Sequence, residues 1–189
     1  MTEDSSSIDA TLAAQIARRL DRPLVLVGLM GVGKSTVGRR LATAVGKRFI
    51  DADEAIEQAA QRSISEIFEQ FGEPYFRDGE RRVIARLIED HDGVIATGGG
   101  AFINDETRSL ILDKAIAIWI DCEIDTLVER TSRKNTRPLL KTGDPREILT
   151  RLYEEREPFY AEAPIHVMSD AGPHDETVAK ISEALDKWL

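Results

Sequence analysis

Within "GLMGVGKST" (28–36), Gly28, Gly33, Lys34 and Ser35 keep the spacing G-x-x-x-x-G-K-S/T directly after the apolar run "PLVLV". That combination is suited to holding phosphate. Glycine lets the backbone fold close around an anion with its N–H groups pointing inward, and a helix starting there adds the positive end of its dipole. Lys34 has the reach and charge for the β- and γ-phosphates, and the Ser35 hydroxyl suits Mg2+. The candidate nucleotide contacts are Gly31, Val32, Gly33, Lys34, Ser35 and Thr36, with Ser35 also a metal ligand. The Asn-Lys-x-Asp element that reads guanine in GTPases is missing, "RKNTRP" being the nearest stretch, so ATP is the expected nucleotide. Arg130 lies just ahead of that basic loop, where its guanidinium plane can stack on adenine.

A strand must lead into this turn and a helix must leave it. "PLVLVG" (23–28) is short and continuously apolar, as a buried strand is, and Val37, Leu41 and Val45 predict a helix over about 33–45. The alternation then continues. "RFIDAD" (48–53) reads as a strand ending in two acids, and "EAIEQAAQ" reads as a helix. Ser63 and Glu66 have the form of a capping box opening another helix, and Pro74 can open a further one to about Asp90. "GVIATGGGA" (93–101) reads as a strand running into three glycines, and Asn104 as the cap of a helix to about Leu112. "AIAIWID" (115–121) is the next strand, followed by a helix from about Glu123 to Thr131. Pro145 to Ala161 reads as helix, "IHVM" as a last strand and Asp175 to Leu189 as a closing helix.

Five short apolar strands, each followed by helix, predict an α/β fold: a P-loop NTPase-type three-layer sandwich with a five-stranded parallel sheet flanked by helices. Ligands of such sheets bind at the carboxyl ends of the strands. The glycines at 28–33 and 98–100 and the acids at 51 and 53 all fall just after strands. Asp121, ending "IWID", also does, and there many P-loop ATPases keep an acid for Mg2+. The expectation is that it caps the helix that follows.

Length and composition bound the rest. At 189 residues the chain suits one good core. Residues 23–189 are expected to form a single domain, with 1–22 an N-terminal extension, disordered to about residue 8. Leu12, Ile16 and Leu20 give 9–20 the apolar stripe of a packed helix. A single cysteine, Cys122, excludes an intrachain disulfide or a cysteine metal cluster, and a cytoplasmic location is expected. No apolar run approaches the roughly 18 residues of a membrane span. The net charge of −9 argues against general nucleic-acid binding. A monomer acting on small molecules is the expectation.

Six segments in order resemble the shikimate kinase family: "GLMGVGKSTVGRRLA", "FIDADEAIE", "SISEIFEQFGEPYFRDGE", "ATGGGA", "NTRPLL" and "YEEREPFY". The resemblance runs from about Pro23 to the last helix. Related small-molecule kinases share the first segment but lack the Asp-x-Asp, Phe-Arg and triple-glycine set. It implies transfer of the γ-phosphoryl of MgATP to the 3-hydroxyl of shikimate. It further implies that Asp53 binds the shikimate hydroxyls as a catalytic residue beside Lys34, and that Asp51 helps hold Mg2+ through water. Arg77 and Arg156 would clamp the shikimate carboxylate, and Gly98, Gly99 and Gly100 would line the same pocket. Arg137 would close over the phosphates from a lid at about 131–145, and about 51–90 would be the substrate-binding segment.

General chemistry agrees with these roles, because guanidinium forks suit a carboxylate and an acceptor carboxylate suits a ring diol. An acid with a pKa near ~3.9 is expected to suffice for Asp53, since the transition state is loose. Two other readings stay open: a gluconate-type sugar-acid kinase, and a nucleotide-switched binding module without an acceptor.

Overall fold

Five strands, β1 (Leu24–Val27), β2 (Phe49–Asp51), β3 (Val94–Ala96), β4 (Ile116–Asp121) and β5 (Ile165–Met168), form one sheet in the order β2-β3-β1-β4-β5. Every neighbouring pair is parallel. The computed structural model describes residues 9–133 and 143–189. The strands read as continuous apolar runs because helices cover the sheet. β1, at the centre, is almost wholly shielded from solvent along its length, as is β4 beside it.

Helices α1 (Ala10–Arg19), α2 (Lys34–Ala44) and α8 (His174–Trp188) form one packed group, with α2 against β1, β2 and β3 and α8 against β5. Helices α3 (Ala52–Ala60), α4 (Ile64–Asp90), α5 (Asp105–Lys114), α6 (Ile124–Ser132) and α7 (Pro145–Tyr160) complete the fold. The N-terminal helix packs on the core. Asp9 caps α1, Ile16 is fully buried, and Arg19 pairs with Asp186 of α8 at 2.7 Å. Among the described residues no helix is long and apolar enough to cross a membrane.

The registers align the strand ends. Asp51 lies beside Ala96, Val27 beside Trp119 and Asp121 beside Met168. The segments that leave these ends therefore share one edge of the sheet, at the point where connections diverge to either side of β1.

Two expectations about extent are corrected. β2 stops at Asp51, whose carboxylate accepts the N–H groups of Asp53 (3.0 Å) and Glu54 (3.4 Å) and so starts α3. Asp53 thus sits in the first turn of a helix rather than at a strand end. β3 likewise covers only Val94–Ala96 of the stretch 93–101.

The double helix start read near Ser63 and Pro74 is present. Ser63 and Glu66 make the reciprocal capping box, and α4 is broken at Gly72, with φ +81° and ψ 174°. Only glycine takes that conformation without strain, and Pro74 then sits in the first turn of the second half, where its missing N–H costs nothing. The break separates a short helix from the long one that carries Phe76 and Arg77, and Ile67 of the first and Phe76 of the second cluster with Ile56 of α3.

Candidate active site

The turn between β1 and α2 and the loop after β5 border a cleft of about 610 Å3. Gly31, Gly33, Lys34, Ser35 and Thr36 line it from the turn, Asp51 and Asp53 from the β2–α3 junction, and Gly98 and Gly99 from the end of β3. Val32 is buried behind the turn, and its carbonyl faces Arg130. Glycine is required at the helix start, where Gly33 has φ +96°. Lys34 begins α2 and is buried, its Nζ donating to the carbonyls of Gly28 (2.6 Å) and Leu29 (2.8 Å). The turn is thereby braced by the side chain expected to meet the phosphates.

Ser35 and Asp51 meet. The Ser35 hydroxyl donates to Asp51 Oδ2 at 2.6 Å while Asp51 Oδ1 caps α3. Together they present hard oxygen atoms of the kind Mg2+ prefers. Asp53, two residues on, is held above the usual carboxylate range, chiefly by burial and then by the Asp51 charge, against the pull of Lys34 and Arg77. An ordinary acid was expected to suffice at Asp53, and here its charge is less favourable than in water.

The glycine turn after β3 joins the nucleotide cleft to a second one. That cleft, of about 590 Å3, is lined by Arg77, Gly100, Asn104 and Arg156 among others. A Cβ on Gly98 would stand 2.8 Å from Asp53 Oδ1, and one on Gly100 only 2.3 Å from an Arg77 nitrogen. Glycine there lets the acid and the arginine come against the backbone. Arg77 donates to Glu80 at 2.6 Å, and Glu80 is buried, which pushes its carboxyl up while the Arg77 charge opposes the shift. Arg156 Nη1 donates to the Gly99 carbonyl at 3.3 Å, and the Tyr160 hydroxyl donates to the same oxygen at 2.6 Å.

Arg130 is at the far side of the nucleotide cleft. Its Nη1 donates to Val32 O (3.2 Å) and Ser169 Oγ (3.3 Å), which ties the phosphate turn to the loop after β5. Beside it stands His174, whose ring occupies the space a Cβ on Gly33 would need, 2.8 Å from that position. Burial, then the charges of Arg130 and Arg40, hold this imidazole below its ordinary pKa. Neither His174 nor Tyr160 was singled out by sequence spacing. The signal that did exist was the i,i+4 relation of Arg156 and Tyr160, which places both on one helix face.

Asp121 corrects another expectation. It does not cap α6, whose N-cap is Glu123 without a side-chain bond. It is buried at the end of β4 and accepts from Cys122 N–H (2.7 Å) and the Tyr153 hydroxyl (3.1 Å), with His166 Nε2 at 3.0 Å. It does not line the nucleotide cleft, so Asp51 is the acid beside the Ser35 hydroxyl. Arg137 and most of the expected lid lie outside the described residues.

Known proteins are similar to this chain in sequence and fold. The family model "Shikimate kinase" matches residues 30–186. The shikimate kinase of Novosphingobium aromaticivorans is 58% identical over 193 residues, covering 100% of this chain and 100% of that protein. The shikimate kinase of Caulobacter vibrioides is 56% identical, covering 87% of this chain and 82% of that protein. A solved shikimate kinase from Acinetobacter baumannii, in complex with shikimate, superimposes with a TM-score of 0.84 at 33% identity, over 90% of this chain and 97% of that one. The chain belongs to the shikimate kinase family.

Proposed function

We propose that this chain transfers the γ-phosphoryl group of MgATP to the 3-hydroxyl of shikimate, giving shikimate 3-phosphate and ADP. One observation carries the assignment of roles. A phosphate-holding turn and an acid-and-arginine cleft meet at the turn Gly98–Gly100, with Asp53 against Gly98 and Arg77 against Gly100. A hydroxyl held by Asp53 therefore lies beside the cleft that contains Lys34 and Ser35.

Arg77 and Arg156 would hold the shikimate carboxylate away from the reacting oxygen, leaving the ring hydroxyls toward Asp53. Transfer is in line through a loose transition state, so the attacking hydroxyl keeps its proton until late. Asp53 then accepts it, and the upward shift of its pKa makes it a better acceptor than a solvated aspartate. Lys34 would leave the carbonyls of Gly28 and Leu29 for the β- and γ-phosphate oxygens. Ser35 and Asp51 fit Mg2+, Asp51 through water, and the ion when bound would neutralise charge on the β- and γ-oxygens. Arg137 would act on the phosphoryl group from the 131–145 segment, and Arg130 would stack on the adenine.

The product identifies the reaction. Phosphorus-31 and proton NMR of a mixture of ATP, Mg2+ and shikimate should show one phosphomonoester coupled to the ring proton at carbon 3, formed in equal amount with ADP. A phosphoryl group on another hydroxyl would show that Asp53 does not hold the 3-hydroxyl.

A further inference from the structure

The strongest unassigned polar contact near the site is that of Tyr160. The residue is 1% exposed, its ring is packed near Trp119 at 6.0 Å, and its hydroxyl is 2.6 Å from the Gly99 carbonyl. Arg156, one helical turn earlier on α7, donates Nη1 to that same carbonyl at 3.3 Å. A carbonyl has two lone pairs and can serve both donors. The Gly99 peptide is itself wedged, because a Cβ there would lie 3.5 Å from Met30 N and 3.8 Å from Gly28 O of the phosphate turn.

We infer that Tyr160 is a positioning residue: it fixes the Gly99 carbonyl, and through it the guanidinium of Arg156, so that Arg156 meets the substrate carboxylate ready aligned. The inference rests on the reading of Arg156 given above.

Three observations support it. The hydroxyl is a permanent donor, since burial pushes the phenol up and the Arg156 guanidinium beside it only partly offsets this. The helix between the two residues contains Pro158, which has no N–H to give and leaves one main-chain bond of α7 unmade. Side-chain ties therefore carry more of the register of this segment against the sheet. Finally, one of the five N–H groups of Arg156 is spent on Gly99, and a guanidinium is planar and rigid. Fixing one edge of it fixes where the others point. An arginine held in this way loses less side-chain freedom when it grips a carboxylate.

Tyr160→Phe removes one oxygen and keeps the ring, and Arg156→Ala removes the group through which it acts. Steady-state kinetics of both variants and of the double variant, with shikimate and ATP varied in turn, test the inference. A hydrogen bond of this kind corresponds to a few-fold up to about tenfold in binding. Tyr160→Phe should raise the shikimate KM by that amount, with kcat within about twofold and the ATP KM unchanged. In the Arg156→Ala background the same change should have no further effect. The shikimate carboxamide gives a second readout on folded protein, since its KM should be indifferent to Tyr160→Phe.

An equal loss in both backgrounds, or an equal rise in the ATP KM, would overturn the inference and leave Tyr160 a packing residue. A raised shikimate KM in Arg156→Ala beside an unchanged one in Tyr160→Phe would also overturn it, and it alone. Arg156→Ala with an unchanged shikimate KM would overturn both the inference and the reading beneath it.

Discussion

Ser35 and Asp51 share a hydrogen bond of 2.6 Å that joins the first turn of α2 to the end of β2. The two oxygens come from segments that are neighbours only because β2 and β1 flank β3 in the sheet. Asp51 has a second duty, since its other oxygen caps α3.

Asp51→Asn separates these duties. Asparagine is as good an N-cap as aspartate, so the fold should persist with little change in Tm. The charge proposed to hold Mg2+ is lost, and kcat should fall on the order of 10²-fold with a higher Mg2+ requirement. Asp121→Asn should do the reverse, leaving the Mg2+ dependence alone and lowering stability by about 1–3 kcal/mol, because Asp121 is buried and accepts from Cys122 N–H and the Tyr153 hydroxyl. Activity across a Mg2+ titration, with thermal unfolding of each variant, decides between them. The opposite ranking would return the metal to Asp121.

Asp53→Asn should lose catalysis without losing stability. Burial and the Asp51 charge disfavour ionised Asp53, so a neutral isostere removes an unfavourable charge from the folded protein. Turnover should fall by roughly 10²–10⁴-fold for loss of the proposed proton acceptor, while the Tm holds or rises. A lower Tm would show that the Asp53 charge is stabilised by Lys34 and Arg77 more than burial costs it.

The two clefts predict different kinetic failures. Arg77 is proposed to grip a carboxylate remote from the transferred phosphorus, so Arg77→Ala should raise the shikimate KM far more than it lowers kcat. Arg137, assigned from the sequence motif, should act on the phosphoryl group itself. Arg137→Ala should lower kcat by on the order of 10²-fold or more. Arg137→Lys should rescue only part of that, because an ammonium lacks the two-pronged fork. Near-normal kcat in Arg137→Ala would remove this residue from the mechanism.

His174 sets a pH dependence of stability. Its folded pKa lies below the 6.5 of the free side chain, so below that pH the unfolded chain binds a proton that the folded protein resists. The contribution is complete above pH 6.5 and is lost as the pH falls toward the lower, folded value. His174→Phe keeps a ring beside Gly33 and removes the titration. Its Tm should fall less than that of the parent between pH 6.5 and about pH 5. Parallel curves would show that the His174 proton is not linked to folding.

What was legible in the sequence was local. The spacing of Gly28 through Ser35, the Ser63–Glu66 box and the helix start at Pro74 each encode their geometry within a few residues, and each is present; the Gly72 break before Pro74 was not expected. The alternation of short apolar runs with helices likewise pointed to a parallel sheet covered on both faces. What was hidden depends on contacts far along the chain. Tyr153 lies 32 residues from Asp121, His166 lies 45 from it, and Tyr160 lies 61 from Gly99. Nothing in "IWID" distinguishes a helix cap from a buried hub until α7 and β5 are in place. The pKa of Asp53 was hidden for the same reason, since burial is a property of the assembled cleft.

The most direct test of the account is acceptor choice. A coupled assay of ADP release, with purified protein, Mg2+ and saturating ATP, should give a kcat/KM for shikimate that greatly exceeds that for gluconate. The preference should shrink in Arg77→Ala and Arg156→Ala. Equal stimulation by shikimate and gluconate, or ADP release indifferent to either, would contradict it.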